Sequence, residues 1–243
     1  MGNDMTTIDN DMDNLVSAFN DDDTATFMEL TGQAKATSSN TGLSRLNINY
    51  DTETDDGVAL TRGSWKMFVD GEYIYAKEVY IRPILRTFEW SVWDMEQGTF
   101  SCKSVQKPTL SGEFPDTQAG NKCGRLPKKE EEILSDDDPL KLKSRSATCN
   151  QVIYGQVSGD FVKANGDPAK MDNHPFVAYF KRSGFKPIRE FIDGLTRQKK
   201  IMQKVVIKLA TGRVKSGSVV YYIPVPSLHK EVEVLDTDKT LMK

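Results

Sequence analysis

Between positions 75 and 94 the chain reads Tyr-Ala-Lys-Glu-Val-Tyr-Ile-Arg-Pro-Ile-Leu-Arg-Thr-Phe-Glu-Trp-Ser-Val-Trp-Asp, a period-two pattern that admits strand and little else. Successive side chains of a strand point to opposite faces, so Val79, Ile81 and Leu85 share one face while Tyr80, Arg82, Arg86, Phe88 and Trp90 share the other. The first face suits a core. The second places cations and large rings where a half-buried strand would present small polar groups. Guanidinium groups meet phosphates and rings stack on bases without reading their edges, so this face has the chemistry of a surface for single-stranded nucleic acid. The same residues also suit two sheet strands covered by a further layer, because aromatics are common in strands. Pro83 interrupts the run and predicts two strands meeting at a bend, or an edge strand, with a slip of parity there.

The neighbouring sequence repeats the pattern with turn chemistry between the runs. Strands are expected at 43–50, 64–69, 73–82, 84–93 and 100–105, separated by Asp-Asp-Gly, Asp70-Gly71 and Gln97-Gly98. Asp70-Gly71 tolerates the positive φ of a tight hairpin, so an antiparallel meander follows. Residues 106–150 break the rhythm with Pro108, Pro115, Gly120, Gly124 and Pro127, and read as a long insertion with one helical turn near 128–134. Strands resume at 151–157 and 175–181, where Phe176, Ala178 and Phe180 share a face. Pro187 suits a first helical turn, and Ile188, Phe191, Ile192 and Leu195 make the buried stripe of the one clear helix. A last hairpin joins 205–210 to 218–223 across a loop, and Pro224 and Pro226 are expected to end the sheet.

The net charge of −3 conceals an asymmetry. Residues 1–30 hold eight acids and no Lys or Arg, whereas 176–215 hold eleven Lys or Arg against Glu190 and Asp193. Residues 1–40, rich in Asp, Asn, Thr and Ser, read as a largely disordered acidic arm in which Leu15, Val16, Phe19, Phe27, Met28 and Leu30 punctuate the acids. Such opposite-sign segments predict a polyanion site together with an intramolecular competitor or a partner-binding tail.

Little points to catalysis. Two histidines, His174 and His229, leave small scope for imidazole chemistry, and no nucleophile elbow or P-loop occurs. The acid runs at 21–23, 130–132 and 136–138 are consecutive and read as solvated charge; a metal nuclease would have to use Glu78, Glu89 and Asp94. Cys102, Cys123 and Cys149 form no Cys-x-x-Cys pair, so isolated thiols in a reducing compartment are expected, with no zinc site and no cofactor. No stretch approaches a membrane span, and the chain is placed inside a cell.

Glu-Val-Tyr-Ile-Arg-Pro-Ile-Leu-Arg at 78–86, Lys-Cys-Gly-Arg at 122–125, the strand at 149–154, and Pro-Phe-Val-Ala-Tyr-Phe-Lys-Arg-Ser-Gly-Phe-Lys-Pro-Ile-Arg-Glu-Phe at 175–191 precede a final hairpin. This layout, over most of 43–228, resembles phage replication-associated single-stranded DNA-binding proteins. The resemblance implies an OB-fold, a role in phage DNA replication or recombination, and an acidic tail that recruits replication proteins. In those proteins the tail is C-terminal; here the acidity is N-terminal. They often carry clustered cysteines in the insertion, which this chain lacks.

The expected fold is therefore mainly β: an OB-fold-like antiparallel barrel at 41–228 with one helix, the insertion at 106–150, the acidic arm at 1–40 and a polar C-terminal tail at 229–243. The expected function is non-catalytic, sequence-tolerant binding of single-stranded DNA, with replication proteins as partners of the arm and a homo-oligomer compatible with it. Contacts are expected from Trp65, Tyr80, Arg82, Arg86, Phe88, Trp90, Lys181, Arg182, Phe185 and Lys186. The alternative is a virion or assembly protein whose aromatic strands form a subunit interface.

Overall fold

The computed structural model describes residues 43–117 and 123–233. The acidic arm lies outside the described residues, as does most of the polar C-terminal tail. Among the described residues the molecule is mainly antiparallel β, as the alternation predicts, with three short α-helices. Its strands are β1 (Ser44–Arg45), β2 (Asn47–Ile48), β3 (Trp65–Val69), β4 (Glu72–Ala76), β5 (Val79–Asp94), β6 (Thr99–Lys103), β7 (Thr148–Lys163), β8 (Pro168–Lys181), β9 (Val205–Ser216) and β10 (Val219–Glu231). The helices are α1 (Lys128–Ile133), α2 (Pro139–Ser146) and α3 (Phe185–Arg197). The sheet runs in the order β10-β9-β5-β7-β4-β3-β2, with β8 on β7 and β6 on β5. The segment holding β1 and β2 pairs antiparallel with β3 at one end and parallel with β8 at the other.

The main core gathers the inward faces of these strands beneath α3. Trp65, Met67, Ile81, Ile153, Val157, Phe161, Phe176, Ala178, Phe180, Ile207 and Leu209 form one buried cluster with Ile188, Ile192 and Leu195 of the helix. Three of the four stripe residues expected on α3 are thus fully buried, and Phe191 packs on the cluster's edge.

Pro83 does not divide the run. β5 is continuous for 16 residues, and the break falls earlier, between β4 and β5. The parity slip does occur: Pro83 pairs with Gly155 of β7, but Leu85 already pairs with Tyr154. One extra residue on β5 turns everything beyond it to the other face. Leu85 therefore leaves the main core and joins Val152, Tyr154, Val177 and Tyr179 in a separate cluster. Gly155 makes room for the bulge, since a Cβ there would lie 2.2 Å from the carbonyl oxygen of Arg82. Backbone cannot yield as a flexible side chain does. Gly155→Ala is expected to cost about 3 kcal/mol of stability, read from the urea midpoint; an unchanged midpoint would mean the strands part freely here.

Other expectations need revision. The hairpin β7–β8 continues to Lys163 and Pro168, well past the stretches read as strand. In the last hairpin the expected loop is itself strand, with only Ser216–Val219 as the turn around Gly217. Pro224 and Pro226 do not end β10, which pairs through them to Glu231. Proline is tolerated because β10 is the end strand, where an outward N–H has no ladder partner to lose. Helix α2 was not expected in the insertion; its signal is Asp138-Pro139, with the Asp138 carboxylate accepting from the Leu140 N–H at 2.8 Å. No helix among the described residues is long and apolar enough to cross a membrane.

Candidate nucleic-acid interface

The ten expected contact residues do not share one surface. Trp65 is 1% exposed, and its Nε1–H donates to the carbonyl of Leu209 at 2.9 Å, so it is a core residue and cannot stack on a base. Phe88 is likewise buried, beside the Phe185 ring. Arg86 donates from Nη1 to Asp193 Oδ1 of α3 at 3.0 Å and lies over the Phe88 ring, tying the helix to the sheet. These three positions are corrected from contact to structural roles. Tyr80 and Arg82 precede the bulge and pair with Ser158 and Gln156, whereas Arg86 pairs with the core residue Ile153. The two arginines therefore sit on opposite faces of the sheet. The Tyr80 hydroxyl donates to Glu78, whose carboxyl Lys208 holds below the usual range, and Arg82 Nε donates to the Gln203 carbonyl. Lys186 lies on α3 in an i,i+4 pair with Glu190.

Trp90, Lys181, Arg182 and Phe185 do come together. They line a cleft of about 860 Å³ at the end of the sheet where β7 begins, β8 ends and α3 starts. Arg45 of β1, Trp93 of β5, Phe100 of β6, Arg125 of the insertion and Arg145 of α2 line it too. No carboxylate is among the lining residues. A second concavity of about 540 Å³ has Tyr75 as its sole ring and includes Glu78, so it lacks this combination.

Two departures from regular strand geometry build the cleft. The first, at Pro83, turns Arg86, Phe88 and Trp90 toward the helix side. The second lies between β5 and β6, where Val92 pairs with Cys102 but Trp93 pairs with Phe100. The extra residue, Ser101, lies on β6, so it is Phe100 that is turned to meet Trp93, and both rings line the cleft with Trp90. Trp93 remains 50% exposed, edge-on to Phe100 with centroids 4.9 Å apart. An exposed indole beside cations is suited to a base.

The cations are only partly neutralised. Arg145 reaches Glu131 of α1 and Asp136 of the α1–α2 connection, and Arg45 stacks on Tyr179. Lys181, Arg182 and Arg125 make no ion pair among the described residues. Desolvation, and then repulsion from Arg45 and Arg182, lowers the pKa of the Lys181 amine. A bound polyanion would offset that repulsion. Arg182 is held at φ 49°, a left-handed conformation that costs an ordinary residue energy and here aims the chain out of β8 into α3.

Cys102 and Cys123 are not isolated thiols: their Cα atoms are 6.0 Å apart and they form a disulfide, leaving Cys149 free. Sequence spacing hid this because the insertion folds back, the Cys123 N–H donating to the Phe114 carbonyl at 2.8 Å. The pair forms a small core with Val92 and Ala147 against Trp90, two residues before the lining Arg125. With the cysteines 21 positions apart in sequence, reduction is expected to cost about 3 kcal/mol of stability. Urea unfolding with and without a dithiol, in a Cys149→Ser background, checks it; coincident midpoints would show that the bond contributes nothing. Burial pushes the Cys149 thiol up to about 11, so it is not a nucleophile near neutral pH.

The carboxylates considered for a metal nuclease do not converge. Glu89 is buried and accepts from Asn150 Nδ2 and Gln106 Nε2, Glu78 pairs with Lys208, and Asp94 accepts from the backbone of Glu96 and Gln97. Among the described residues no three His, Cys, Asp or Glu side chains are placed to hold a metal.

Comparison with known protein families, curated proteins and solved structures finds no match for this chain.

Proposed function

We propose that this protein binds single-stranded nucleic acid in the cleft, without catalysis and without strict sequence preference, as a single-stranded DNA-binding protein of phage replication or recombination would. The observation that carries the reading is the convergence of four rings and five cations, with no carboxylate, in one cleft. Rings offer every base a π-face, and guanidinium groups hold phosphates in place, which gives affinity without edge readout. The bridging of β3 and β8 by the β1–β2 segment also suits an oligonucleotide-binding barrel.

The test is fluorescence anisotropy of labelled oligo-dT and a matched duplex across a salt series. Single-strand preference with a log–log salt slope of about −0.7 per neutralised phosphate supports the reading. Equal affinity for both forms, or no binding at low salt, overturns it and favours a protein-assembly interface. Within the same assay Trp93→Ala is expected to lose about 1–3 kcal/mol of binding with its unfolding midpoint unchanged, since the ring is half exposed. Full affinity in that variant would remove Trp93 from the site.

A further inference from the structure

The cleft is rich in positive charge, and the strongest negative segment of the chain is attached beside it. Leu43, where the described residues begin, packs on the same small cluster as Tyr179, and Arg45, two residues on, lies over the Tyr179 ring while lining the cleft. Residues 1–30 carry eight acids with no Lys or Arg, and the first cation of the chain is Lys35. We propose that residues 1–30 of the same chain occupy this cleft when nucleic acid is absent and compete with it for entry. The proposal deepens the nucleic-acid reading of the cleft and rests on it.

The chemistry matches on both counts the cleft offers. Carboxylates at Asp21, Asp22 and Asp23 present consecutive negative charges to the arginines, and Phe19 and Phe27 flank them with rings where a nucleic acid would present bases. Lys181, Arg182 and Arg125 lack carboxylate partners among the described residues, and desolvation, followed by repulsion from Arg45 and Arg182, lowers the Lys181 pKa. Reach is no obstacle. The twelve residues from 31 to 42 span at most about 40 Å, and a tether of that length sets an effective concentration in the millimolar range. A weak contact is then enough to occupy the cleft, whereas a separate acidic protein would need far higher affinity to do the same.

Two measurements on the full chain test it. Zero-length carbodiimide coupling joins carboxylates only to a lysine in contact, and Lys181 is the one lysine lining the cleft. Mass spectrometry is expected to find residues 1–30 coupled to Lys181, with the product lost at about 1 M salt, where screening acts within about 3 Å, and lost in Lys181→Arg. In a mixture of ¹⁴N and ¹⁵N chains the coupled peptides should carry one label; mixed labels would assign the contact to a second copy and overturn the proposal. Replacing Asp9, Asp11, Asp13, Asp21, Asp22 and Asp23 by Asn is expected to tighten oligo-dT binding roughly tenfold at low salt, converging on the parent at high salt. Unchanged affinity, or no coupling in a chain that binds oligo-dT, overturns it. Coupling to Lys181 in a chain that binds no oligo-dT would instead sink the nucleic-acid reading and leave the arm as the occupant of the cleft.

Discussion

Trp65→Ala is expected to destabilise the protein by about 3–5 kcal/mol, a large share of the roughly 5–15 kcal/mol that holds a domain folded. The indole is 1% exposed, meets Phe180 edge-on at 6.5 Å, and satisfies the Leu209 carbonyl across the β3–β9 gap. Truncation would leave both a cavity and a buried acceptor without its donor. Urea unfolding measures the loss, and a change under about 1 kcal/mol would refute the packing described. Whatever fraction stays folded should bind oligo-dT as before. That separates Trp65 from Trp93, where the expected effect is on binding alone.

The largest effect on binding is expected from Arg125→Glu combined with Arg182→Glu. Both side chains are exposed at the cleft and neither has a carboxylate partner among the described residues, so reversal breaks no ion pair there. Two phosphate contacts would be lost, and the log–log salt slope should become shallower by about 1.4. Affinity at low salt should fall on the order of a hundredfold, with the unfolding midpoint little changed. Lys186→Glu, outside the cleft, serves as the comparison. An equal loss from that variant would point to general attraction by the basic 176–215 segment instead of a defined site.

Much of the secondary structure was legible because burial imposes a period. Phe176, Ala178 and Phe180 alternate into the core as their spacing implies, and the α3 stripe packs as read. Residue types alone also indicated a basic-aromatic surface, and Trp90, Lys181, Arg182 and Phe185 do line one cleft. Strict alternation failed on β5. It grouped Arg82 with Arg86, and the bulge after Pro83 puts them on opposite faces; a second bulge, at Ser101 of β6, turns Phe100 to meet Trp93. A bulge costs little and leaves no regular mark in the sequence, yet it inverts every facing downstream.

Arg125 and Arg145 were missed for a different reason. Each stands in a segment read as loop, and what brings them to the cleft is long-range: the Cys102–Cys123 bond, and the seat of Ala147 in the small core beside Trp90. The sequence by itself determined that this chain is built of alternating strands, that one helix covers its core, and that cations and rings exceed what a core requires. Only the tertiary structure decided which of them meet, because local periodicity dictates a side chain's face within an unbroken strand, whereas bulges, a cross-link and a folded-back insertion set the neighbours across it.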